Sequence, residues 1–533
     1  LIRDHYHEEV DLAHLPADDP EVYSTLQKAD TIGMFQIESR AQMSCLPRLK
    51  PKKFYDIVVQ VAIIRPGPIV GQMVNPYLER RQGRQDVTYA HPSLEPVLKR
   101  TLGVPLFQEQ LLKMAMVVAG FSGGEAEELR RAMGFKRSEK RMKEIEAKLR
   151  AGMTRNEISH EAQEEIVLSI TSFALYGFPE SHAASFALLA YASAYLKCHY
   201  LAAFTAALLN NQPMGFYSPA TIVKDAQRHG LKLLPIDVMR SEWECTLEHS
   251  AIGTEHSGED VVGRSSLVVG NNIALRLGLR YVRGLHEEAG LAIAEERKNS
   301  PFASIHDLVR RVPDLQKNEL HTLAEIGALN SISNPAQKLR GREETSIEFS
   351  VTPCLRGDKI FHRRDALWSA AAAANSAGSL LEQTPEPDDK SPLKIMTNEE
   401  RLVADFRGTG MTIGPHPMSY HRERMNKLGV RRAIELASLP SGHKVRTAGG
   451  VIARQRPGTA KGFVFLSLED ETGVSNAIVT PDLFQQHRLL LSTEQFLLIE
   501  GILQNQDGVI SVKALQVSPL NITRVQTVSH DFH

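Results

Sequence analysis

The sequence predicts a multidomain, mostly α-helical protein that ends in a five-stranded β-barrel of the OB type. Its 533 residues are enough for roughly three or four domains. Helical patterns with caps and breaks recur over residues 1–240. Alternating apolar and polar residues recur over 441–520, bounded by turn signals. These three observations set the fold class.

The composition is that of a soluble globular chain. Hydrophobic residues make up 42% and charged residues 23%, which excludes wholesale disorder. The net charge is −1, so any binding to nucleic acid must use local patches. The four cysteines lie far apart in sequence, which excludes a CxxC metal knuckle and a dense disulfide framework.

No targeting or membrane segment is predicted. The opening residues lack the basic and apolar regions of a signal peptide, and the first residue is Leu1, so we expect the chain to begin inside a longer protein. The Ala- and Leu-rich stretch 182–209 is interrupted by polar residues such as Lys197 and His199. It predicts packed helices of a cytoplasmic protein, with no membrane contact.

In the first part of the chain, individual residues predict where helices begin. Asp19 before Pro20 is a helix start. Residues 107–119 form an amphipathic helix, and further helices are expected over 125–133 and 138–153. Ser181 is expected to cap the Ala-rich helix that follows it.

The pattern changes after residue 240. Two strands are predicted, at 243–247 and 272–280, followed by short helices joined by Gly turns up to 332. Segments 249–271 and 333–360 look like insertions. Residues 333–440 would be a linker with connecting helices, 441–520 the barrel and 521–533 a tail.

The densest basic segment is 130–155, with ten Lys and Arg against three Glu. Arg130 and Arg131 end a helix, and Lys136 follows at a Gly turn. Two guanidinium groups and an ammonium could bind a triphosphate. A solvated, charged helix face remains an equal alternative from the pattern alone.

No set of catalytic acids is convincing. Asp18-Asp19 reads as a helix cap, Asp388-Asp389 lies in a Pro-rich linker, and 469–471 reads as a hairpin turn. Ser181 and His182 could form a dyad, but no third partner is placed. A packed imidazole is the competing interpretation.

In the barrel, Phe463 and Phe465 alternate with aliphatic residues. If the aliphatic face is the core, the two rings form a surface on which bases can stack. The opposite arrangement, with the rings inside, is nearly as compatible with the pattern. Lys and Arg balance Asp and Glu over 441–533, so a strongly basic groove is not expected.

Five segments, taken in order, resemble the bacterial C-family replicases, the alpha subunits of DNA polymerase III. The segments are ADTIGMFQIESRAQM (29–43), IIRPGPIVGQMVNPYLERR (63–81), PLFQEQ (105–110), ELRRAMGFKR (128–137) and YGFPESHAASFALLAY (176–191). FPESHAASFALLAYASAYLKCHY, LGLRYVRGL and the ending SHDFH resemble the error-prone branch. The segment EQTPEPDDKSPLK contains no apolar-aromatic clamp motif, which agrees with that branch.

The resemblance implies a functional map. Residues 1–240 would be helical fingers, 241–332 a helix-hairpin-helix region that binds duplex DNA, and 441–520 an OB domain near the template. Arg130, Arg131 and Lys136 would bind the phosphates of the incoming nucleotide, and Ser181 and His182 would line the same pocket. The turn at Arg283 and Gly284 would present N–H groups to a DNA phosphate.

The resemblance also implies limits. The polymerising aspartates of the family lie in a palm domain that precedes these segments, and neither they nor the N-terminal PHP domain is found here. We therefore expect the C-terminal half of a damage-tolerant DNA polymerase that is inactive alone, with no metal site of its own. The intact enzyme would use Mg²⁺, dNTPs, primer-template DNA and an inactive Y-family-like adapter that contacts the sliding clamp. The alternative is a non-catalytic DNA-binding module with helix-hairpin-helix and OB domains.

Overall fold

The computed structural model describes residues 1–64, 70–132, 139–173, 178–249, 273–332, 362–374, 391–520, 522 and 530–532. Within this part of the chain, the mostly helical fold and the closed C-terminal barrel are confirmed. Lys136, Asp388, Asp389 and nearly all of both predicted insertions lie outside the described residues.

The first part of the chain is a helical assembly. Its α-helices, in chain order, are α1 (Ile2–Tyr6), α2 (Pro20–Gln27), α3 (Arg40–Leu49), α4 (Phe54–Ile63), α5 (Val70–Arg81), α6 (Glu95–Leu98), α7 (Gln108–Ala119), α8 (Gly123–Ala132), α9 (Glu139–Arg155), α10 (His160–Phe173), α11 (Glu180–His199), α12 (Leu201–Asn210) and α13 (Pro219–Arg228).

Side-chain caps explain where two of these helices begin. Asp19 Oδ1 accepts hydrogen bonds from the N–H groups of Glu21 at 2.9 Å and Val22 at 3.1 Å, which confirms the predicted start of α2. Helix α8 begins at Gly123, two residues before the predicted start. The reason is a capping box, in which Ser122 and Glu125 each accept a backbone N–H of the other.

The prediction that Ser181 caps α11 is wrong. The helix begins at Glu180 with Pro179 at the N-cap, so Ser181 lies in the first turn, where its carbonyl accepts the Ser185 hydroxyl at 3.0 Å. Fully buried alanines on α11 let α4 approach closely. Among the described residues, no helix is long and apolar enough to cross a membrane.

A three-stranded sheet follows the helical assembly. It consists of β1 (Lys232–Leu234), β2 (Thr246–His249) and β3 (Ile273–Arg276), with β3 in the centre, parallel to β1 and antiparallel to β2. Strand β2 begins three residues later than predicted. The carbonyls of Glu242 and Trp243 accept the N–H groups of Leu279 and Arg280 instead of joining the ladder.

Further helices follow along the chain, and those up to Ala373 share an apolar core with this sheet. They are α14 (Glu287–Asn299), α15 (Ile305–Arg311), α16 (Lys317–Ile326), α17 (Arg363–Ala373), α18 (Asn398–Thr409) and α19 (Arg422–Lys427). Helices α17 and α18 both pack on α16. Gly408 makes the second contact possible, because a Cβ there would lie 2.3 Å from the Ile326 side chain.

The barrel has five strands: β5 (Lys444–Gln455), β6 (Val464–Glu469), β7 (Val474–Val479), β8 (Phe496–Gln506) and β9 (Val509–Pro519). It closes in the order β5-β6-β7-β9-β8-β5, and only the β7–β9 pair is parallel. Helices α20 (Pro481–Gln486) and α21 (Arg488–Thr493) connect β7 to β8. This is the Greek-key topology of an OB fold.

Two short strands extend the barrel sheet. Strand β4 (Val430–Arg431) pairs parallel with the start of β5, and β10 (His530–Phe532) pairs parallel with its end. The segment predicted as a C-terminal tail therefore contains a strand that the sequence pattern did not reveal.

Three arginines connect the barrel to the helical assembly. Arg40 donates to the carbonyls of Leu466 at 3.0 Å and Ala477 at 3.3 Å. Arg228 donates to Glu469 at 2.8 Å. Arg84 donates to Asp507 in the β8–β9 turn at 3.1 Å. Charge-assisted hydrogen bonds thus join elements more than 200 residues apart in sequence.

Candidate nucleotide and nucleic-acid interface

Arg130 and Arg131 lie exposed in the last turn of α8, and both bind one carboxylate. Arg130 makes a bidentate pair with Glu127, with N···O distances of 2.7 and 2.8 Å. Arg131 Nε lies 3.2 Å from Glu127 Oε1, the oxygen that also accepts from Arg130 Nη2. Hydrogen bonds from Arg130 lower the pKa of Glu127 to about 2. One anion therefore already holds two guanidinium groups side by side.

The start of α11 is held by a residue from another helix. Glu109 of α7 accepts the N–H of Glu180 at 2.9 Å, and the N–H of Gln108 donates to the Phe178 carbonyl at 3.0 Å. Arg100 lies 3.5 Å from the Glu180 carboxylate. Segments 105–110 and 176–191 are therefore adjacent in space.

His182 is part of a row of rings on the surface. Its imidazole meets Phe178 and Phe186 edge to face, with centroid distances of 5.1 and 4.2 Å. Phe186 in turn stacks on Phe35 at 5.5 Å. Within the described part of the chain, no hydrogen bond joins His182 to Ser181, so the geometry is that of a packed imidazole and not of a dyad.

The structure does not bring all the predicted nucleotide residues into contact. Among the described residues, Arg130 and Arg131 pair only with Glu127, and no hydrogen bond or ion pair joins them to Ser181 or His182. In the described part of the chain, the arginines and His182 thus have different partners.

Helix α11 also anchors segment 29–43. Ser193 Oγ accepts the N–H of Phe35 at 3.0 Å, and Lys197 Nζ donates to the Ile32 carbonyl at 3.0 Å. Within this segment Glu38 is buried and accepts the N–H groups of Gly33 at 2.9 Å and Phe216 at 3.3 Å. Burial raises the pKa of Glu38 to about 7.

One cluster has the composition of a metal site. The potential ligand atoms of Asp30, Asp225 and His229 lie within 4.8 Å of one another. Lys197 Nζ, however, lies 2.8 Å from Asp225 and 3.4 Å from Asp30. Mg²⁺ prefers an octahedron of oxygen ligands, and an imidazole beside a buried ammonium does not fit it. The cluster is a partly buried ion-pair network.

The predicted acidic pairs also have structural partners. Asp18 accepts the Tyr23 hydroxyl at 2.6 Å and the N–H of Phe54 at 3.0 Å. Asp470 accepts the N–H groups of Thr472 at 2.7 Å and Gly473 at 3.1 Å, which forms the β6–β7 turn. The sequence interpretation of both as structural acids is confirmed.

The turn at Arg283 and Gly284 precedes α14. The N–H of Arg283 donates to the Gly408 carbonyl at 2.7 Å, so it faces α18. Gly284 is exposed with φ of +84°, which favours glycine, and its N–H has no backbone partner in the described part of the chain. Only one of the two groups expected to face phosphate is free to do so.

In the barrel, the aliphatic residues of β6 form the core. Val464, Leu466 and Leu468 are buried, while Phe463 and Phe465 are half-buried on the outer side. The guanidinium carbon of Arg40 lies 4.8 Å from the Phe465 ring centroid. The Arg40 guanidinium therefore covers the Phe465 ring, which is one of the two rings predicted to stack on bases.

Two residues that position the candidate site, Glu127 and Glu109, were not predicted from the sequence. Glu127 lies three and four residues before the arginines, a spacing that could have revealed the pairing. Glu109 stands inside the quoted segment PLFQEQ, but no local signal connects it to a residue 71 positions later.

Three family models match the chain. Residues 1–157 match the bacterial DNA polymerase III alpha subunit finger domain, 230–339 a helix-hairpin-helix motif, and 445–520 an OB-fold nucleic acid binding domain.

Named relatives match nearly the whole chain. An error-prone DNA polymerase of Anaeromyxobacter sp. (strain K) is 45% identical over 98% of this chain and 43% of its own length. One of Methylococcus capsulatus is 45% identical over 94% and 45%. Error-prone DNA polymerase 2 of Agrobacterium fabrum is 42% identical over 100% and 46%. The chain thus spans less than half the length of these relatives.

Proposed function

Because this chain is a homologue of the error-prone DNA polymerases of the bacterial C-family, we propose that it forms the nucleotide- and DNA-binding part of a DNA-directed DNA polymerase that copies damaged templates. The helical assembly binds the triphosphate of the incoming dNTP. The helix-hairpin-helix region and the barrel bind the primer-template.

The pair of arginines at the end of α8 supports the nucleotide role most directly. Two exposed guanidinium groups converge on one carboxylate, and both donate to its Oε1. A phosphate group offers more oxygens and more charge in the same place, and Arg binds such groups in a fork geometry. An incoming triphosphate would replace Glu127 as their partner.

Nucleotidyl transfer needs a divalent metal, and we assign Mg²⁺ to the whole polymerase. The candidate acids that the structure describes, Asp18, Asp19 and 469–471, are engaged in caps, turns and ion pairs. We also propose that the chain alone extends no primer, that the whole enzyme works in the cytoplasm, and that an adapter protein related to Y-family polymerases delivers it to the clamp.

A nucleotide titration of the 533-residue chain tests the proposal. Arg130→Ala and Arg131→Ala should each weaken binding of a fluorescent dNTP by about 10- to 150-fold, the effect of losing a hydrogen bond to a charged group. Arg155→Ala is the matched control, since it removes an exposed arginine from the same basic segment. Equal loss in all three variants, or no loss in any, would refute the triphosphate assignment.

A non-catalytic DNA-binding module is the second candidate. The matches to helix-hairpin-helix and OB domains favour it, because neither needs a catalytic acid. The two functions differ in one readout. Unchanged dNTP binding together with weaker DNA binding in the arginine variants would favour the module.

A further inference from the structure

The barrel also carries a charged surface. It is separate from the surface formed by Phe463 and Phe465. A groove of about 330 Å³ opens between the start of β5, the middle of β8 and the short strand β4. Its lining includes Arg431, His443, Lys444, Arg446 and Glu500. Three permanent cations face one carboxylate, so the groove is positive although the barrel as a whole is not.

The strand geometry places two of these cations, Lys444 and Arg446, on one face. Lys444 and Arg446 are two residues apart on β5, with Val445 buried between them, so both side chains point outward. Their exposed fractions are 63% and 49%. Arg431 follows Val430, the residue paired with Arg446 across the β4–β5 ladder. Cations from two neighbouring strands therefore line the groove.

Glu500 lies between Lys444 and Arg446. It is the cross-strand partner of Arg446 on β8, and its carboxylate lies 2.7 Å from Arg446 Nε and 2.5 Å from Lys444 Nζ. Arg446 also donates to the Leu428 carbonyl at 3.0 Å. The two cations are held in place by a carboxylate that an anionic ligand would have to displace.

We propose that this groove binds the phosphodiester backbone of single-stranded DNA, and that Glu500 limits its affinity. The choice of ligand rests on the proposed function. The groove itself adds two suitable features, a row of cations that can follow a backbone and an exposed His443 ring on which a base can stack. It lies across β5 from β6, so it adds a contact separate from the Phe463 surface.

Fluorescence anisotropy with the full chain tests the proposal. The probe is a labelled oligothymidylate longer than the ~4–16 nucleotides that one OB fold covers. The double variant Lys444→Ala/Arg446→Ala should weaken binding roughly tenfold near 0.1 M salt and reduce the salt slope by about 1.4. Glu500→Gln should tighten binding by about two- to fivefold, because it releases both cations.

The control is Lys513→Ala, which removes an exposed lysine of the same barrel outside the groove. It should change the affinity by less than about twofold. Thermal melting of each variant checks that the barrel remains folded. The opposite responses of Glu500→Gln and the double variant cannot both come from unfolding.

The outcomes separate this proposal from the proposed function. If the native chain binds the oligonucleotide but neither groove variant changes the affinity, the groove assignment is wrong and the polymerase function stands. If a polyglutamate peptide binds the groove as tightly as DNA does, the groove is a protein-docking site and the proposal is overturned. If the native chain binds no single-stranded DNA, both proposals fail.

Discussion

The carboxylate of Glu109 accepts the backbone N–H of Glu180 at 2.9 Å, so a residue of α7 caps the N-terminus of α11. The first N–H groups of a helix have no partner within the helix, and an anion there also interacts favourably with the helix dipole. This bond fixes the position of the turn that carries Ser181 and His182. The position of the ring row therefore depends on Glu109, which is not one of its rings.

Glu109→Ala should loosen the start of α11. Loss of an N-terminal cap costs about 0.5–2 kcal/mol, which corresponds to a 2- to 30-fold loss of protection from hydrogen exchange. Exchange measured by mass spectrometry over 179–186 gives the local effect. Glu109→Gln keeps an acceptor oxygen and should lose less. Equal protection in all three proteins would contradict the capping role.

Glu127→Gln should bind a dNTP about two- to fivefold more tightly than the native chain. The change removes the anion that competes with the triphosphate for Arg130 and Arg131, at an exposed site where ion pairs are weak. The same fluorescent-nucleotide titration measures it.

The matched control for that variant is Glu128→Gln, which removes the neighbouring carboxylate, whose partner is Arg141. It should leave dNTP affinity unchanged. If both variants tighten binding equally, the gain comes from overall charge and the arginine pair has no special role.

Much of the barrel could be predicted because its signals are local. Alternation along β6, the turn at Asp470 and the capped start at Asp19 each depend on residues close in sequence. Strand β10 could not be predicted in the same way, because three residues carry no period and its pairing with β5 is made across 77 positions.

In the candidate site, too, some features follow from neighbouring residues and others depend on contacts between distant parts of the chain. The basic character of Arg130 and Arg131 is evident from the sequence, and the i, i+3 and i, i+4 spacing to Glu127 is a local signal for their shared partner. The type and position of Ser181 predict a helix cap. Glu109 supplied the acceptor instead and moved the helix start to Glu180. The contact between α7 and α11, and not the capping preference of Ser181, therefore sets where α11 begins.

Glu38 should make the stability of the helical assembly depend on pH. Its pKa is raised to about 7 by burial, so the folded state retains a proton that the unfolded state loses. Stability must then fall as pH rises from the unfolded value near 4.5 through 7. Between pH 5.5 and 8 the loss is on the order of 2 kcal/mol.

The measurement is a urea unfolding series at the two pH values for the native chain and Glu38→Gln. The amide oxygen of glutamine can still accept from Gly33 or Phe216, but it does not titrate. Glu469 is also buried with a raised pKa near 7, so only the difference between the two proteins isolates Glu38. A difference that is the same at both pH values would show that Glu38 does not titrate in this range.

Phe463→Ala should weaken binding of single-stranded DNA more than Phe465→Ala does. Stacking of a base on an aromatic ring contributes about 1–3 kcal/mol, and of the two rings Phe465 is the one that already carries the Arg40 guanidinium. Loss of the Phe465 ring should instead loosen the contact between barrel and α3, seen as faster hydrogen exchange over 40–49. If the two variants lose equal DNA affinity, with no change in exchange at α3, then Arg40 leaves that ring when DNA binds, and both rings belong to the stacking surface.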